Sequence, residues 1–142
     1  MVQPLNEGWQ QLSADECSAL NLALDSIGWV REVFLCDGKQ PWVFARSVAG
    51  KAQLLEANFD LSQLGNNSLG QLLFNQPAFS RGPLQICQLP VIQLPAIAQE
   101  YTAAQQQVWA RRSCFKKAAL GVLVAEVFLP QFWQDSDLTL FS

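Results

Sequence analysis

The run Val122-Leu123-Val124-Ala125-Glu126-Val127-Phe128-Leu129 constrains the chain most strongly. Seven of its eight residues are apolar, and its β-branched and aromatic content reads as a buried strand. Glu126 alone breaks the pattern. A carboxylate at the centre of such a strand must be paired, protonated or used, because burying it bare costs more than a domain's stability margin. Two partners suit it: Arg111 or Arg112 on a neighbouring strand, which makes it structural, or a bound ligand, which makes it functional.

A chain of 142 residues, half of them apolar, predicts one domain that buries a core without disulfide or metal staples. The net charge of -3 supplies no basic footprint for nucleic acid or for a membrane surface, so a small-molecule substrate is expected. No apolar run reaches the length of a membrane span and no secretory pattern opens the chain, so a cytoplasmic location is expected. Cys17, Cys36, Cys87 and Cys114 are widely spaced, which suits separately packed thiols rather than a disulfide framework or a zinc site. The chain has no histidine. That excludes Ser-His-Asp triads, Cys-His pairs and histidine-ligated metals. The scattered glycines form no phosphate-binding loop, so any catalyst here works with carboxylates, arginines and backbone amides.

In chain order, Pro4 to Leu12 reads as a strand broken at Asn6-Glu7-Gly8. Ser13 with Glu16 three residues on reads as a capping box opening a helix to about Leu24. Gly28–Cys36 and Pro41–Val48, joined at Asp37-Gly38-Lys39-Gln40, read as a β-hairpin. Arg31 and Arg46 both alternate with apolar residues, and a two-residue connection would put them on one face with an anion between them. Lys51 to Leu64 reads as partly helical. A further helix follows near Leu69 with Asn67 or Ser68 as its cap, and its free amides suit either ordinary capping or an anion. Leu84–Leu89 reads as a strand, Pro90–Pro95 as a connector and Ala96–Gln107 as helical. Val108–Lys116 pairs with the Glu126 strand as a second hairpin, with Arg111, Arg112, Lys116 and Lys117 as a solvated strand end. About six strands with short helices predict an α+β fold: an antiparallel sheet covered by helices on one face.

Five segments occur in the order and character of the chorismate lyase family: R-E-V-F-L-C-D-G-x-x-P-W with A-R-S-V, L-G-x-x-S-L-G-Q-L-L-F, F-S-R, W-A-R-R-S and A-E-V-F-L-P. The resemblance runs from about Glu7 to Pro130. It implies a six-stranded antiparallel sheet with helices on one side and an enclosed ligand site. It also implies conversion of chorismate to 4-hydroxybenzoate and pyruvate in ubiquinone biosynthesis, without cofactor or metal; a monomer is expected. Carried over by motif, Arg31 resembles the arginine that grips the ring carboxylate, Leu69 the residue whose backbone amide meets it, and Glu126 the carboxyl beside the ring hydroxyl. Because chorismate is a dianion, Arg46 is expected near the enolpyruvyl carboxylate. The chain departs from the family pattern in two places. No helical segment precedes the first strand, implying a truncated start or a more open site, and Pro90 to Gln107 is a longer connection, expected as a surface excursion. The competing function is sensing of an aromatic carboxylate, since effector domains of some GntR-type regulators share this fold, although the acidic charge offers no DNA-binding companion.

Overall fold

The computed structural model describes residues 1–57, Leu73 and 79–133. Its frame is one antiparallel sheet of seven strands: β1 (Val2–Gln11), β2 (Ile27–Asp37), β3 (Gln40–Gly50), β4 (Ser80–Arg81), β5 (Gln85–Pro90), β6 (Gln107–Lys117) and β7 (Leu120–Phe128). The spatial order is β1-β2-β3-β7-β6-β4, and β5 also pairs with β6. β4 and β5 therefore share the outer edge of β6. The expected six strands become seven because the two-residue β4 carries no periodic signal. β1 is continuous where a break was expected, with a register shift between Pro4 and Asn6 in its pairing to β2.

Pattern and structure agree best in the two hairpins. β2 and β3 turn through Gly38, whose φ of 60° is open to glycine without a Cβ clash. β6 and β7 turn at Ala118, which holds a φ of 54°. The β7 strand lies between β3 and β6, so its apolar run is buried on both faces.

Each face of the sheet carries a core. On one face Trp29, Phe115, Leu120, Val122 and Val124 pack with Leu54 of helix α2 (Lys51–Ala57) and with Leu73. On the other, Phe34, Phe44 and Val127 pack with Leu94 and with Ala98 of helix α3 (Ala96–Gln99). Beside them Val30, Val48 and Leu123 pack with Cys17 of helix α1 (Ala14–Ala19). Fully burying a side chain such as Phe34 contributes roughly 1.5–3 kcal/mol, so both faces need cover. Helices therefore cover both faces rather than the one expected, α1 and α3 on one and α2 on the other. The connection from Pro90 to Gln107 is thus part of the fold: Leu94 is 6% exposed and Ala98 is completely buried. Its helix is only one turn long, much shorter than the alanine-rich composition predicts, and α1 likewise stops at Ala19 rather than Leu24. Ser13 caps α1 as expected, accepting from the Glu16 amide, while Glu16 Oε1 accepts from the Ser13 amide. The expected helix near Leu69 lies outside the described residues, Leu73 excepted. All four cysteines are free thiols, Cys17 and Cys36 buried and Cys87 exposed.

Candidate active site

Strand register decides which side chains share a face. β2 and β3 pair Arg31 with Ser47, and β3 and β7 pair Ser47 with Val124. On β6, Ser113 is opposite Val124. The next row on the same face runs Val33, Ala45, Glu126, Arg111. Arg31 and Glu126 therefore point to one face, two strands apart and one row displaced, which separates their backbones by roughly 10 Å across the strands. The row through Arg31 is polar inside an apolar core: Arg31 is 3% exposed, and Ser47 and Ser113 are each 5%.

Arg31 Nε stands 3.6 Å from Glu7 Oε1 on β1, and that carboxylate is half exposed. Burial pushes the Arg31 guanidinium below its ordinary pKa, and the charge of Glu7 opposes the shift. A guanidinium still keeps its proton at any working pH, so Arg31 presents a buried, planar, charge-bearing fork on this face. Glu126 Oε1 accepts from Arg111 Nε at 2.9 Å. The Arg111 guanidinium also lies over the Phe128 ring, 5.3 Å from its centroid. The structural partner expected for Glu126 is thus present, but the pair is partly solvated, with the side chains 41% and 25% exposed. Such a pair contributes up to about 1 kcal/mol rather than the several that breaking a fully buried one costs. It orients the carboxylate on the Arg31 face without sealing it. Arg112, the other candidate partner, points to the opposite face and pairs with Asp15.

Arg46 does not join this group. With the turn at Gly38 and Lys39, Cys36 pairs with Pro41, and continuing that register would set Arg31 opposite Arg46. A β-bulge intervenes: Leu35 pairs with Val43, leaving Trp42 as the extra residue on β3. From there on every β3 side chain changes face. Arg46 pairs with Glu32 across the strands and lies on the face opposite Arg31 and Glu126. There its Nε donates to Glu16 Oε2 at 2.7 Å, its Nη2 to Glu16 Oε1 at 3.0 Å and its Nη1 to Glu32 Oε2 at 3.0 Å. The capping glutamate of α1 therefore also locks the helix onto the sheet. Leu69 lies outside the described residues.

A cavity of about 970 Å³ opens on the Arg46 face, lined by Phe44, Val127, Glu16, Glu32, Arg46 and Arg112 among others. It suits an anionic ligand poorly. Arg46 is already engaged by two carboxylates and Arg112 by Asp15, and an incoming dianion would have to displace them or face them. Among the described residues no cluster of acidic or cysteine side chains could hold a metal ion.

The Glu16–Arg46 clamp gives a pH prediction. Burial pulls the Glu16 pKa upward, but hydrogen bonds from Arg46 and from the Ser13 amide, with the Arg46 charge, outweigh it and leave the pKa below 4.5. A depressed carboxylate pKa stabilises the fold above the unfolded-state value, and that stability is lost as pH falls through the folded value. Glu16→Gln should lower stability by about 1.5–3 kcal/mol at pH 7, with the difference from wild type shrinking below about pH 4.5 as Glu16 protonates. Urea titrations across that range measure it. A difference constant with pH would contradict the clamp.

The chain matches the chorismate lyase family profile over residues 1–138. It belongs to the chorismate lyase family. Its relatives include "Probable chorismate pyruvate-lyase" of Pseudomonas aeruginosa strain UCBPP-PA14, 50% identical over 137 residues, spanning 96% of this chain and 74% of that one. "Probable chorismate pyruvate-lyase 2" of Pseudomonas entomophila is 53% identical over 133 residues, 94% of this chain and 69% of that one. Among solved structures, the fold is similar to the effector-binding domain of the Bacillus subtilis trehalose repressor, with a TM-score of 0.66 at 10% identity, covering 92% of this chain and 90% of that one. A GntR-family regulator from Bacillus cereus gives 0.68 at 6% identity, covering 92% of each chain. At such identities the likeness to the regulators concerns the fold alone. This chorismate lyase family member thus has the α+β antiparallel sheet expected of it, with one strand more than the pattern gave.

Proposed function

We propose that the chain is a chorismate pyruvate-lyase, converting chorismate to 4-hydroxybenzoate and pyruvate on the Arg31 face of the sheet. The observation that carries this reading beyond family membership is the register that puts buried Arg31 and partly exposed Glu126 on one face of the sheet. Arg31 takes the ring carboxylate as a fork-shaped, charge-assisted pair. The Leu69 backbone amide is the second donor that the family resemblance assigns to that carboxylate. Glu126, oriented by Arg111, accepts from the ring hydroxyl.

In the reaction the ring C–O bond to the enolpyruvyl group breaks and the adjacent ring carbon, which bears the hydroxyl, loses its proton. The C–H electron pair becomes ring π density, the C–O pair leaves with the enol oxygen, and the proton ends on the pyruvate methyl. Aromatisation supplies the driving force. The protein's task is to hold the side chain in a reactive conformation away from water, with Glu126 assisting the proton's movement. No step calls for a cofactor or metal. Ubiquinone biosynthesis is the setting that the resemblance implies, and a cytoplasmic monomer is proposed with it. Purified chain mixed with chorismate should release 4-hydroxybenzoate and pyruvate in equal amounts. Saturable binding of chorismate with neither product formed would make the domain a sensor instead.

A further inference from the structure

The cavity on the Arg46 face takes no part in the lyase reading, and its walls call for a ligand of other chemistry. Two neighbouring rows of the sheet form its floor. One runs Arg46, Ala125, Arg112 and Gln85 across β3, β7, β6 and β5. The next runs Phe44, Val127, Ala110 and Cys87 across the same strands. Asp15 and Glu16 of α1 also line it, as does Leu94 of the connection before α3, and the space they bound is about 970 Å³. That volume lies at the upper end of the roughly 300–1,000 Å³ of small-molecule sites.

Every charged side chain among the described lining residues is already in an ion pair. Arg46 holds Glu16 and Glu32, Arg112 holds Asp15, and Arg111 holds Glu126 on the far face. An arriving anion would have to break one of these pairs and then face the carboxylate it displaced, and an arriving cation would meet carboxylates that arginines have already neutralised. The middle of the floor offers a different contact. Ala125 sits between the two arginines in its row and is only partly buried, so open space lies above it, and Phe44, Val127 and Ala110 form an apolar surface alongside. We propose that this cavity binds an uncharged, mainly apolar small molecule, at a site separate from the Arg31 face. Its affinity comes from taking the apolar floor out of water, and the paired charges around it exclude ions, including the carboxylates that the Arg31 face takes.

Two fluorescent probes with one ring system test this on the full chain: phenylnaphthylamine, which is uncharged, and anilinonaphthalene sulfonate, which adds a negative charge. The uncharged probe should bind saturably and the sulfonate at least about tenfold more weakly. Ala125→Trp fills the space above the floor and should weaken the uncharged probe by at least about tenfold, with Ala125→Leu losing less. Circular dichroism checks that both variants are folded. Wild type supplies a measurement that needs no variant. Cys87 is exposed and lines the cavity, so the uncharged probe should slow its alkylation by iodoacetamide, read by peptide mass mapping, while saturating 4-hydroxybenzoate should leave the probe bound. Failure of the uncharged probe to bind saturably, equal affinity for the sulfonate, displacement by 4-hydroxybenzoate, or unprotected Cys87 with the probe bound would each overturn the proposal, as would a folded Ala125→Trp chain that binds the probe like wild type. None of these measurements depends on turnover of chorismate, so the lyase reading stands or falls separately.

Discussion

Arg31→Ala is expected to weaken 4-hydroxybenzoate binding by about 3 kcal/mol, a loss of more than a hundredfold in affinity, and to weaken chorismate binding by at least as much. The size follows from burial. Arg31 is 3% exposed, and Glu7, 3.6 Å away, is half in water. A ligand carboxylate would therefore meet a desolvated cation, and removing that cation leaves the ligand's charge buried without it. Calorimetric titration with 4-hydroxybenzoate measures the loss, and a thermal melt checks that the variant is folded. Unchanged affinity would move the site elsewhere.

Glu126→Gln should leave the fold nearly untouched while lowering chorismate turnover by roughly 10- to 1000-fold, the range for losing one assisting proton-transfer group. The sequence alone allows a harsher outcome, because a carboxylate buried with an arginine costs 3 kcal/mol or more when removed. The structure changes that expectation. Arg111 is 41% exposed and Glu126 25%, so water takes up what Gln cannot, and the stability change should stay within about 1 kcal/mol. Glu126→Ala should show a similar stability change with at least as large a loss of turnover. Denaturant titration beside steady-state kinetics separates the effects. A folded Glu126→Gln protein with wild-type turnover would leave positioning by Arg31 as the whole mechanism.

These two residues were legible in the sequence because each violates an apolar pattern strong enough to fix its face. Glu126 interrupts a strand buried on both sides, and its bond to Arg111 was one of the two partners its neighbours offered. Arg46 is the counter-example. Its face depends on whether β3 holds one residue more than its partner between the turn and the arginine, and the bulge at Trp42 leaves no mark in composition or periodicity. Glu16 was visible as a capping residue but not as a clamp, since its second partner is 30 residues away. The two-residue β4 is too brief to leave a periodic signal, which is why six strands were expected and seven are present. Helix lengths were overestimated for Ala96–Gln107 because alanine and glutamine favour a helix that the packing of Leu94 and Ala98 against the sheet confines to one turn.

The sheet offers two faces, and only one carries Arg31 with Glu126. A crystal structure of the chain with 4-hydroxybenzoate tests the account most directly. The ligand carboxylate is predicted within hydrogen-bonding distance of the Arg31 guanidinium, with the phenolic hydroxyl on the Glu126 carboxylate. Density for the ligand in the cavity beside Arg46, with the Arg31 face unoccupied, would contradict it.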